Sequence, residues 1–105
     1  MTRPSAAEFP ELRKGFAGYL HEDFPERYGT PEAALRAFHA DADRGERQRF
    51  AREVKRFLVL AAPLAFSEVQ EILSRLGCRW TPPSREALTD LLTGAIEPRS
   101  NIQRS

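Results

Sequence analysis

The sequence predicts an all-α fold, a single compact domain of about five short amphipathic helices. Three observations carry that reading. β-Branched strand formers are scarce, with three Val and three Ile in 105 residues. No stretch alternates polar and apolar residues for long. Apolar residues instead recur at helical spacing along most of the chain.

The elements follow in order. Leu12, Phe16, Tyr19 and Leu20 fall at i, i+4, i+7 and i+8, so the first helix is placed at about Pro10–His21. FPERYG, with Pro25 and Gly29, reads as a loop. Thr30-Pro31 is a strong helix start, because a threonine hydroxyl accepts free first-turn amides and proline at the first position loses nothing by lacking an N–H. The second helix is then PEAALRAFHA, burying Leu35 and Phe38. Asp43 with Glu46 three residues on forms a capping box for the longest helix, at about 44–61, along which Phe50, Val54, Phe57, Leu58 and Ala61 share a face. Pro63 ends it. Ser67 and Gln70 are read as the next capping box, ahead of Val69, Ile72, Leu73 and Leu76. Gly77 is the helix terminus, where a left-handed backbone is needed. CRWTPPS is a rigid connection. Ser84 caps a last helix carrying Leu88, Leu91, Leu92 and Ala95, which is expected to end near Gly94. The domain is bounded at 9–96, with an N-terminal tail at 1–8 and a polar, frayed tail at 97–105.

Composition excludes several classes. The single cysteine, Cys78, allows no intramolecular disulfide. The longest apolar run, Phe57 to Phe66, is broken by Pro63 and falls short of the roughly 18–20 residues of a membrane span. MTRPSAAEFPEL has no apolar stretch after its basic residue and is not a secretory signal. A soluble cytoplasmic protein is the expectation. A net charge of +1 gives no bulk attraction to nucleic acid or anionic lipid, but the charge is segregated. From His21 to Asp43 six acidic residues stand against Arg27 and Arg36, a balance of −4. From Arg44 to Leu58 six basic residues stand against Glu46 and Glu53, a balance of +4.

Candidate chemistry is thin. His21-x-Asp23 and His39-x-Asp41 invite a metal, yet residues i and i+2 of a helix point about 200° apart and cannot share one ion. No metal, cofactor or catalytic group is assigned. Cys78, between Gly77 and Trp80, reads as a packed thiol rather than a nucleophile. SEVQEILSRLGCRWTPPSREALTDLL imitates a helix-turn-helix, but its second helix shows Glu86 and Asp90 with only Arg85 toward a groove. The helix at 44–58 rings itself with Arg44, Arg47, Arg49, Arg52, Lys55 and Arg56. It supports the alternative of a small nucleic-acid-binding or regulatory protein, although part of that charge can pair with the acidic half. The acidic segment supports a protein-binding surface. Carboxylates near a helix C-terminus oppose its dipole, which points to another use for them.

The motifs YLHEDF, YGTPEAALRAF and LGCRWTPP resemble those of a small all-α family of immunity proteins from bacterial contact-dependent growth inhibition systems. Members read roughly FPELxxFFxxYFHxDW, then tpeeAlraF, then LGCxYxP. The matching positions are Phe9-Pro10-Glu11-Leu12, Tyr19, His21, Asp23 and Phe24, then Thr30 through Leu35 with Phe38, then Leu76-Gly77-Cys78, Trp80 and Pro82. Phe24 stands where the family favours tryptophan, and the last helix lacks a Tyr-x-x-Trp-Leu pattern. The resemblance implies no enzymatic activity, no direct nucleic-acid or membrane binding, and a one-to-one complex with the toxin domain of a growth-inhibition effector, often a nuclease. Combined with the charge pattern, it nominates Glu22, Asp23, Phe24, Glu26, Tyr28, Asp41 and Asp43 as partner contacts. Tyr19 is assigned mainly to the core.

Overall fold

The computed structural model describes residues 6–96. After a 3-10 turn at Ala6–Glu8 come α1 (Pro10–Tyr19), α2 (Phe24–Arg27), α3 (Pro31–Asp41), α4 (Arg44–Ala61), α5 (Phe66–Arg75) and α6 (Arg85–Ile96), with no strand among the described residues. The all-α expectation holds. Of the tails expected at 1–8 and 97–105, residues 1–5 and 97–105 lie outside the described residues.

Helix α4 is the spine. It packs against α1 on one side and α6 on another, and α3 closes the arrangement by touching both α1 and α6. The buried stripe of α4 is Phe50, Val54, Phe57 and Ala61. Phe57 meets Phe9 edge to face at 5.5 Å, and Phe50 lies 4.9 Å from Phe38 between ring centroids. Gly15 makes the α1 approach possible, since a Cβ there would stand 3.1 Å from the Phe50 ring. Helix α5 adds Val69, Ile72 and Leu73, and α6 adds Leu88, Leu91 and Leu92.

Local signals account for most boundaries. The Thr30 hydroxyl accepts the Ala33 N–H at 3.1 Å. Asp43 accepts from Glu46 N–H at 2.7 Å while Glu46 accepts from Asp43 N–H at 3.1 Å, which completes the capping box of α4. Ser84 accepts from the Ala87 N–H at 3.1 Å. Gly77 takes φ +91°. With Gly77 N–H on Ser74 O and Cys78 N–H on Leu73 O, both 3.0 Å, it closes α5 in a Schellman motif.

Four boundaries differ from expectation. Helix α1 stops at Tyr19 rather than His21, because the Leu20 N–H closes on Phe16 O and the next residues turn. In that turn Asp23 N–H donates to His21 Nδ1 at 3.1 Å. FPERYG is not plain loop; Phe24–Arg27 form one helical turn, with Pro25 in a first-turn position where its missing N–H costs nothing. Helix α5 begins at Phe66 instead of after Ser67, because the Glu68 carboxylate accepts the Ala65 N–H at 3.0 Å and fixes the start two residues earlier. Helix α6 runs past Gly94 to Ile96.

Candidate protein-binding surface

The fold consumes charge unevenly. Glu11 is buried at 6% exposure, yet Arg49 Nε lies 3.1 Å from its Oε2 and Lys14 Nζ 2.9 Å from its Oε1. Lys14 also meets Glu46 at 3.0 Å. Glu11 first and Glu46 second raise the Lys14 ammonium above its ordinary value. Arg56 bonds Glu8 at 2.6 Å and stands 5.4 Å over the Phe9 ring. Arg47 donates to the carbonyls of His39 and Ala42 at 2.9 and 3.0 Å, covering the C-terminal end of α3. Three of the six cations of α4 are therefore used within the fold. They pair with Glu8, Glu11 and backbone, not with the acidic half as expected. Arg85, the lone cation of the supposed recognition helix, donates to the carbonyls of Ala61 and Leu64 at the end of α4.

The acidic segment is left over. Glu22, Asp23, Glu26, Glu32, Asp41 and Asp43 are all exposed, and none makes an ion pair among the described residues. Asp43 is occupied only by its helix cap. Asp41 accepts a hydrogen bond from Tyr19 Oη at 2.6 Å, so the C-terminal ends of α1 and α3 meet there. That bond, reinforced by burial, pushes the Tyr19 phenol up to about 12 and keeps it a donor. Tyr28 stacks on Tyr19 at 6.0 Å and 29°, and Tyr19 meets the edge of Phe38 at 5.5 Å.

Of the nominated contacts, Glu22, Asp23, Glu26, Asp41 and Asp43 face solvent and Tyr28 is half-buried. Phe24 is corrected. At 8% exposure its ring belongs to the core, because the single turn of α2 folds its first residue inward. The link that sequence reasoning missed is Tyr19 to Asp41. Twenty-two residues separate the two, and no local pattern announces it.

The two histidines and the cysteine are engaged in a local turn and in packing. His39 packs edge-on to Phe50 at 5.5 Å, its Nε2 buried without a partner. Burial, and then Arg47, holds it below its usual value. Cys78 is 5% exposed, donates to Trp80 O at 3.3 Å, and is pushed up to about 11 by burial. Among the described residues no group of three His, Cys, Asp or Glu is placed to hold a metal, and no helix is long and apolar enough to cross a membrane.

The fold is a small helical domain whose segment from Glu22 to Asp43 keeps its carboxylates exposed and without an ion pair among the described residues. The family model described as CdiI immunity protein matches residues 8–92, and the chain belongs to that family. Its role is toxin-neutralising immunity, and such proteins are inhibitors rather than enzymes. No curated protein and no solved structure matches the chain.

Proposed function

We propose that this chain neutralises the C-terminal toxin domain of a contact-dependent growth inhibition effector, a nuclease with a basic active cleft, in a one-to-one complex in the cytoplasm. It binds through the acidic segment around α2 and the C-terminal ends of α1 and α3. The observation that carries the reading is the absence of any ion pair among the described residues for the six carboxylates from Glu22 to Asp43, while Glu8, Glu11 and Glu46 are all engaged. Carboxylates unneutralised in the free protein attract a cationic partner, and a nuclease cleft that holds phosphates is such a partner. Tyr28 supplies apolar area within that rim of charge.

The test replaces Glu22, Asp23 and Glu26 by Lys and follows association with the cognate toxin domain by stopped flow at low and moderate salt. Association is expected to slow by about 10–100-fold and to lose most of its salt dependence, with an unchanged circular dichroism spectrum. A triple variant that associates as fast as the parent defeats the proposal.

A further inference from the structure

The geometry points to a socket for an arginine side chain of the partner, built from Tyr19, Tyr28 and Asp41; it rests on the acidic-surface reading above and deepens it. Asp41 is the last residue of α3, at the negative end of the helix dipole, where a carboxylate costs stability unless a cation joins it. Arg47, a cation at that end, is spent on the carbonyls of His39 and Ala42. Asp41 has no ion pair among the described residues, and its bond to Tyr19 occupies Oδ2 alone. That bond holds the carboxylate in one orientation, with Oδ1 taking no bond among the described residues. Beside it, Tyr28 lies over Tyr19 at 6.0 Å, and Tyr19 is wedged on Phe38, so the aromatic pair is anchored to the core. The Tyr28 hydroxyl makes no hydrogen bond with a described residue although the side chain is half-buried.

A fixed carboxylate next to stacked phenol rings suits a guanidinium better than an ammonium. The guanidinium is planar and weakly hydrated, so one edge can donate to Asp41 while its face lies on the tyrosine ring. A lysine ammonium is compact and strongly hydrated, so it loses more water on lying against a ring and offers no planar face to stack. The socket therefore selects arginine within a surface that otherwise attracts any cation. It also gives Tyr19 a positioning role that its partial burial disguises.

The experiment titrates the full-length chain with hexa-arginine amide and, separately, hexa-lysine amide at low salt, read by amide and side-chain chemical shifts. Hexa-arginine is expected to bind about fivefold more tightly, with the largest shifts at Tyr19, Tyr28 and Asp41. Tyr28→Leu, Asp41→Asn and Tyr19→Phe, the last keeping the ring and removing only the hydroxyl, should each bring the two peptides close to parity. Equal binding of both peptides by the parent, with shifts centred on Glu22, Asp23 and Glu26, overturns the socket and leaves the acidic surface standing. No shifts between residues 19 and 43 with either peptide remove both.

Discussion

Gly77→Ala tests the close approach between the end of α5 and Ala17 of α1. A Cβ at Gly77 would lie 2.7 Å from Ala17 Cβ and 3.0 Å from Ala17 Cα, and φ there is +91°. Two costs add. A left-handed backbone costs a residue with a side chain about 1–2 kcal/mol. The clash falls on helix backbone that no rotamer change can move, and overpacking of this kind costs about 1–3 kcal/mol. The expected loss is about 3 kcal/mol, a large part of the roughly 5–15 kcal/mol that holds a domain together. Urea unfolding followed at 222 nm should show the midpoint falling by about 2 M, with the slope unchanged. Removing the Ala17 Cβ as well relieves only part of the loss, since Ala17 Cα stays 3.0 Å away and the φ cost is untouched. Gly18→Ala is the control, because nothing lies within 4 Å of a Cβ there; it should be neutral or stabilise by up to about 1 kcal/mol. A Gly77→Ala variant within about 1 kcal/mol of the parent would refute both the contact and the strain argument.

The other outcomes concern titration, thiol access and a cap. His39 is held below its ordinary value of 6.5 in the folded state, so the unfolded chain binds the proton first. Its contribution is fully present above pH 6.5 and is lost as pH falls from there through the folded value; urea unfolding at pH 7.5 and 5.5 should show lower stability at 5.5, a difference that His39→Phe abolishes. Cys78, buried and raised to about 11, should react with a thiol reagent at pH 8 only at the rate of unfolding and promptly in urea. Fast labelling of the native protein would contradict its burial. Glu53 Oε1 accepts the Glu11 and Leu12 N–H groups at 2.9 and 3.0 Å, so Glu53→Ala should cost about 2 kcal/mol. Glu53→Gln, which keeps an acceptor, should recover most of that loss, and equal losses would mean that the cap is not the cause.

What the sequence made legible divides along the range of the interaction. Helix starts at Thr30, Asp43 and Ser84 rest on a side chain bonding an amide three residues away, and all three were readable. Gly77 was readable for the same reason, since its Schellman bonds close within five residues. Ala65 misled because it carries no capping side chain; the acceptor is Glu68, and Ser67 offered a false start two residues later. Helix α1 begins without any cap of its own, because Phe9 has no side-chain acceptor and Glu53 serves from another helix.

The same limit of range decides how far the candidate site could be read. Segregation of charge at 21–43 and 44–58 is visible in one dimension, but whether a charged group is free depends on what the fold brings to it. Arg49 and Arg56 sit among the cations that suggested nucleic-acid binding, and α1 and the preceding turn supply Glu11 and Glu8 to meet them. Those acids lie 38 and 48 residues away along the chain. The alternative reading of α4 therefore weakens through contacts that no window of sequence contains. Arg44, Arg52 and Lys55 still carry charge without an ion pair among the described residues, and helical spacing keeps them on one side of α4, so half of its cations remain unspent. The acidic segment moves the other way. Its carboxylates gain no ion pair among the described residues, and Asp41 gains a neutral donor that fixes its orientation without cancelling its charge. A surface left charged by the fold and locally pre-oriented requires less reorganisation when it binds a cation, which is what the proposed capture of a basic toxin domain asks of it.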